Sequence, residues 1–305
     1  MKKIIISENK FNVLLEYSGF VNKYMNLIDY IYKYSYENLC KMISKVVDTK
    51  GKTKDVIIKE FINSDMVSAD KPMRDWIISE NYISMTNVDD IRQITIVYMT
   101  DENLGAYIDR DNLRMDSDGK VRNVVIGINI IPLFTKGEAF KSLLQHEFTH
   151  LYEFINRYKK NGVDKTNMNF DNKYYSTKSD IVSFMSYYFS KVEMNAVISE
   201  TMHVLINGKP KNKEDAWNLI KNSNAMEFIN QLNTIENALK NNIRNVYAVM
   251  EFLKMNPEHV DMFPSVRNNN VGAYQRRLVK VAELKKEYFQ NKIKKTIKTY
   301  LLNRF

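Results

Sequence analysis

The spacing of apolar positions changes twice along the chain. Up to about residue 80 it follows a helical period. Phe11, Leu14 and Leu15 make a short amphipathic turn, and a longer helical segment runs from about Val21 to Val46. Its tyrosines, Tyr24, Tyr30, Tyr32, Tyr34 and Tyr36, read as packing residues. Two shorter helices are expected at 54–63 and 71–80. The pattern then turns β-rich, with strands at 94–98 and 124–130 and a short strand within 104–108. Asp116-Ser117-Asp118-Gly119 reads as a hairpin turn in which Gly119 takes positive φ. It is not a calcium loop, because Gly119 follows Asp118 directly and no Glu closes the pattern. Pro132 is expected to end the last strand, and a helix to begin near Lys136. After residue 180 the helical period returns, at 181–206, 213–222, 225–253 and 275–302. Asn207-Gly208, Pro257 and Pro264 separate these segments. The pattern predicts a mostly helical α+β protein in three parts: helical 1–90, an α+β core at 91–206 and helical 207–305.

The helix after Lys136 carries the chemistry. Leu144, Phe148, Leu151 and Ile155 form one apolar stripe, and His146 and His150 fall on roughly the opposite side. Residues four apart on a helix share a face, so the two imidazoles of His146-Glu147-Phe148-Thr149-His150 can address one metal ion. Glu147 lies beside them, positioned as a general base. The chain has only four His, and two of them make this motif. A catalytic zinc takes three protein ligands and leaves one position open. A third His six residues after His150, with a Gly between, is excluded, because Glu153 and Asn156 hold those positions. Glu193 is the leading candidate. On a continuous helix it shares a side with Phe189, Ala196, Val197 and Val204, and a carboxylate on an apolar stripe is costly unless paired or metal-bound. Small Ala196 would let a second helix approach. Glu200, two turns on, is either a partner for the far nitrogen of a ligand His or itself the ligand. Asp180 is an outlying candidate. Glu153 shares the His face, but one straight helix rarely wraps three ligands around an ion.

These features resemble the gluzincin type of zinc metallopeptidase. The resemblance rests on His146-Glu147-x-x-His150, the strands before it, and Glu193-x-Asn195-Ala196, 47 residues after His146. It covers roughly residues 92–206. It implies a zincin-like core, Zn2+ held by His146, His150 and Glu193, and Glu147 as general base. The compact layout is most similar to metallopeptidase-like proteins of phages and prophages. The opening, Ile4-Ile5-Ile6-Ser7-Glu8-Asn9-Lys10-Phe11, resembles the start of proteins from large crAss-like phages. One departure stands out: thermolysin-like sequences carry an acid four residues after the ligand Glu, and position 197 is Val. Glu200 is the available substitute. The expected reaction is peptide hydrolysis by metal-activated water, with Glu147 taking the water proton and passing it to the leaving amine. His203 and Tyr152 are candidates, by residue type, for stabilising the oxyanion. Residues 105–108 are the candidate edge along which an extended substrate would add as a strand.

Composition narrows the alternatives. Among 305 residues, 44% are hydrophobic and 27% charged, ordinary for a soluble globular protein. The single Cys40 excludes an internal disulfide framework and a cysteine zinc knuckle, and reads as a small core residue in a reducing compartment. The opening Met1-Lys2-Lys3-Ile4-Ile5-Ile6 has too short an apolar run for a signal peptide, and no stretch is long enough to span a membrane. The expected location is the cytoplasm of a bacterial host or a virion. Net charge is +9, and residues 275–305 hold ten basic residues against Glu283 and Glu287. In that last segment Leu278, Val281, Leu284, Tyr288, Ile293 and Ile297 form the expected apolar stripe. A competing function follows: a non-catalytic virion or interaction protein with a zincin-like fold, whose basic last helix contacts nucleic acid or a protein partner. A secreted toxin-like protease is a third reading, which the missing signal sequence does not help. Retention of both His and the Glu favours the peptidase.

Overall fold

A computed structural model describes residues 8–68, 79–84, 90–100, 105–109, 113–161, 180–256, 263–266 and 270–302. The side chains of 8–23, Ser68, 79–84, Lys160, Asn161 and Asp180 lie outside the described residues, as do residues 1–7. The chain divides into two compact units, Met1–Thr166 and Asn167–Phe305. This boundary falls inside the 91–206 segment expected to be one core.

In the first unit, α1 (Glu8–Val46) is a single helix rather than a turn followed by a second segment. It is followed by α2 (Lys54–Ile62) and the short α3 (Asp65–Ser68). β1 (Ser79–Ser84), β2 (Gln93–Met99), β3 (Ala106–Ile108) and β4 (Val124–Asn129) form one mixed sheet in the order β1-β2-β4-β3. β2 and β4 are parallel and buried along most of their length; β1 and β3 flank them antiparallel. β1 corrects the sequence expectation, since residues 79 and 80 were assigned to a helix at 71–80. The remainder of that segment, 71–78, lies outside the described residues.

After β4 the chain enters helix about six residues earlier than the start expected near Lys136. α4 (Ile130–Lys136) starts at Ile130, with the Asn129 side chain accepting from Ile131 N at 2.9 Å. Pro132 therefore sits in the first helical turn, where a backbone N–H would have no helical partner. Gly137, at φ +56, breaks the helix; a 3-10 turn (Gly137–Phe140) leads into α5 (Lys141–Asn161). The Asp-Gly turn forms as expected, with Gly119 at φ +77 donating to Asp116 O at 2.9 Å.

The core of this unit lies where α1, α4 and α5 meet the sheet. α5 packs on α1 and β3, and α4 on α1 and β4. Tyr24, fully buried on α1, donates to Asp90 Oδ2 at 3.2 Å, and Lys159 Nζ on α5 donates to Asp90 Oδ1 at 2.8 Å. Burial, then Asp90, raises the Tyr24 hydroxyl far above its ordinary pKa, so it stays a donor. Cys40 is half-buried and burial raises its thiol pKa, fitting an inert packing role.

Every element among the described residues of the second unit is a helix: α6 (Asp180–Phe189), α7 (Lys191–Gly208), α8 (Lys213–Ile220), α9 (Asn224–Asn241), α10 (Ile243–Met255) and α11 (Val271–Leu302). Two segments expected to be continuous are broken, at Ser190 and at Asn242. Ser190 caps α7, and the Asn242 side chain accepts from Arg244 N at 3.0 Å to cap α10. α11 packs on α7, α8, α9 and α10, and α9 packs on α6. Its buried stripe is Tyr274, Leu278, Ala282, Phe289, Ile293, Ile297 and Tyr300. Leu284 and Tyr288, expected in that stripe, are 50% and 39% exposed. Among the described residues no helix is long and apolar enough to cross a membrane.

Gly127 on β4 faces Tyr107 across the β3–β4 pair, and a Cβ there would come within 2.0 Å of the Tyr107 ring. Gly127→Ala should therefore cost about 1–3 kcal/mol in urea unfolding. The Tyr107→Ala/Gly127→Ala double variant should recover part of that loss, a positive coupling in the mutant cycle. Additive losses would show that the ring does not occupy the glycine's space.

Candidate functional site

The orientation of the motif is set by how α5 is seated. Leu144, Phe148, Leu151 and Ile155 are all buried, and the Phe148 ring lies against Tyr24 with centroids 5.6 Å apart. That face points inward, so His146 and His150 come off the other side of the helix, and Glu147 lies on its flank. His146 is half-buried and His150 buried. Their Nε2 atoms lie 3.2 Å apart, with ring planes at 79°. Two imidazoles on one tetrahedral zinc, each with a Zn–N bond of about 2.05 Å, hold their nitrogens about 3.3 Å apart. The observed spacing fits a shared cation; in its absence the pair can share one hydrogen. Thr149, between them, donates its hydroxyl to Gln145 O at 2.8 Å and adds no ligand.

Glu147 leans to the sheet. β3 is an edge strand: Asn129 N donates to Gly105 O at 3.0 Å and Asp109 N to Val125 O at 2.9 Å. Strand alternation then turns the backbone groups of Ala106 and Ile108 away from β4. Ile108 N uses its outward N–H to donate to Glu147 Oε2 at 3.2 Å. The edge predicted at 105–108 thus lies against the motif helix. The sequence did not indicate the Ile108 contact, because every residue offers the same backbone N–H and only register selects this one.

The other unit carries further candidate ligands on α7. Ser190-Lys191-Val192-Glu193 has the capping-box spacing, with Ser190 Oγ accepting from Glu193 N at 3.4 Å. The Ser190 N–H is directed elsewhere, to Tyr187 O at 3.1 Å. Glu193 consequently lies in the first turn of α7, where the helix dipole favours a negative charge. Phe189 belongs to α6 and does not share its helix face, contrary to the continuous-helix projection. Glu193, Glu200 and His203 are all buried and fall on one side of α7 with Asn207. Glu200 Oε1 accepts from Asn224 Nδ2 at 2.8 Å. Asn207 Nδ2 lies 2.8 Å from His203 Nε2; with the amide donating, the imidazole keeps its hydrogen on Nδ1.

The remaining candidates have other surroundings. Tyr152 is seated edge-on to Tyr24, with centroids 6.4 Å apart, about 120° around α5 from His146. Its ring packs toward α1. Glu153 lies 4.0 Å from Arg157. Asp180 opens α6, and its side chain lies outside the described residues.

No protein-family model, no curated protein and no solved structure matches the chain. The chemistry of the site therefore rests on its own residues.

Ser190→Ala removes the cap that starts α7 and should destabilise the protein by about 0.5–1 kcal/mol in urea unfolding. Ser190→Asp, which keeps an acceptor, should lose much less. Equal losses would mean that the cap does not set the start of this helix.

Proposed function

We propose that the protein is a zinc-dependent peptidase of gluzincin type. The observation that carries this reading is the pair of Nε2 atoms 3.2 Å apart on α5, with Glu147 between them in sequence and turned to the sheet edge. His146, His150 and Glu193 are a group that could hold a metal ion. Two imidazoles and a carboxylate are a donor set that suits zinc and leaves a position for water. Burial of Glu193 supports its part, because a carboxylate removed from water needs a compensating charge.

When bound, zinc acidifies water and polarises a carbonyl. The protein's own residues do the rest. Glu147 accepts a proton from the attacking water and delivers it to the departing amine. The Ile108 N–H steadies one carboxylate oxygen, leaving Oε1 for proton transfer. An extended substrate pairs with the outward groups of β3, the Ala106 N–H and the carbonyls of Ala106 and Ile108. In this reading Glu200 and His203 belong to the buried polar face that carries Glu193, and Glu200 supplies the acid that Val197 cannot.

Untagged full-length protein should contain about one zinc per chain by elemental analysis. Glu193→Ala should weaken zinc binding by at least about tenfold. Glu147→Gln should keep the zinc and lower cleavage of a quenched-fluorescent peptide library by about 10²–10⁴-fold. Absence of zinc from wild-type protein, or undiminished turnover in Glu147→Gln, refutes the assignment.

A further inference from the structure

The basic excess near the end of the chain is sorted by α11 into engaged and outward-facing charges. Lys285 is engaged: its Nζ donates to Phe189 O at 2.9 Å, and burial, then Lys191, lowers its pKa. Lys286 pairs with Glu236. Arg277 lies over Tyr274, and Lys292 over Tyr288. Arg276, Lys280, Lys294 and Lys298 are different, for all four are exposed. At 100° per residue they fall within a sector about 40° wide, opposite the buried stripe. Among the described residues no ion pair holds Arg276, Lys294 or Lys298, while Lys280 lies 3.3 Å from Glu283. Glu287 is the one acid in that sector.

We propose that this face of α11 binds the phosphate backbone of duplex nucleic acid. The four charges form two pairs, 276/280 and 294/298, on one continuous helix. The span from Arg276 to Lys298 is about 33 Å, close to one turn of B-form duplex at about 34 Å. A helix held along its buried side presents these charges at fixed spacing, which complements a regular array of phosphates. Single-stranded nucleic acid is less well served, because it is held by aromatic platforms and Tyr288 lies beneath Lys292. An anionic membrane is also less well served. Interfacial helices insert an apolar face, and that of α11 is buried within its own unit. The inference is independent of the peptidase reading, and either can fail alone.

Full-length protein is titrated against a fluorescein-labelled 24-base-pair duplex, an oligo(dT) strand of equal length, and vesicles containing phosphatidylserine. Duplex affinity should fall with salt at a log–log slope of about −3 to −4, the value for four phosphate contacts. Replacing Arg276, Lys280, Lys294 and Lys298 with Gln should weaken duplex binding at least about 30-fold and bring the slope near zero. Lys294→Gln/Lys298→Gln alone should remove about half the slope. Replacing Lys209, Lys211, Lys213 and Lys221 with Gln removes the same charge and should change affinity by less than about threefold. Absence of duplex binding, preference for the single strand or the vesicles, or equal weakening in the second set would overturn the proposal.

Discussion

Burial of one face of α5 determines the geometry of the motif. Leu144, Phe148, Leu151 and Ile155 leave water together, and with Tyr24 they fix the rotation of the helix about its axis. Deleting a buried Phe typically costs about 3–5 kcal/mol, enough to make that rotation strongly preferred. With 3.6 residues per turn, inward-facing Phe148 requires His146 and His150 to point away from it. The two imidazoles of His146-Glu147-Phe148-Thr149-His150 are thus oriented by apolar residues that are not candidate ligands.

The sheet contributes position rather than ligands. Its central strands, β2 and β4, are nearly all apolar and buried, while β3 is three residues long and lies at the edge. Tyr107 can cross to Gly127 only because that position lacks a Cβ, and this pairing is part of the register that places Ile108. Register decides which backbone groups face β4 and which face outward. A one-residue slip would exchange them and remove the donor from Glu147.

The second unit handles its polar groups in two ways. On α7, Glu193, Glu200 and His203 are buried, with amide partners on Glu200 and His203. On α9, hydrogen bonds from Lys240 and Lys286 hold the buried Glu236 below the usual carboxylate range. Stability from that cluster is present above the unfolded carboxylate pKa and is lost as pH falls through the lower, folded value. α11 contributes Lys285, which donates to the end of α6, and Lys286, which pairs with Glu236. Its outward charges are those that the packing leaves over.

Much of this was legible in the chain. Period-3.6 spacing identified α5 and the shared face of His146 and His150, because both depend only on local helical geometry. Runs of β-branched residues identified β2 and β4, and Asp118-Gly119 the turn, because φ preference is local too. β1 was missed: Ser79-Glu80-Asn81-Tyr82-Ile83-Ser84 has little strand character and becomes a strand by pairing with β2. The break at Ser190 had a local signal in its capping spacing, but the apolar period running across it was stronger. The stripe on α11 was misassigned at Leu284 and Tyr288, because the apolar period continues through positions that neighbouring helices leave uncovered. The sequence alone determined which residues are candidates for metal-assisted chemistry and which helix bears the two imidazoles. Only tertiary structure decided that Ile108, among equivalent backbone donors, meets Glu147, and which lysines remain at the surface, because hydrogen-bond register and burial arise from contacts between segments distant in sequence.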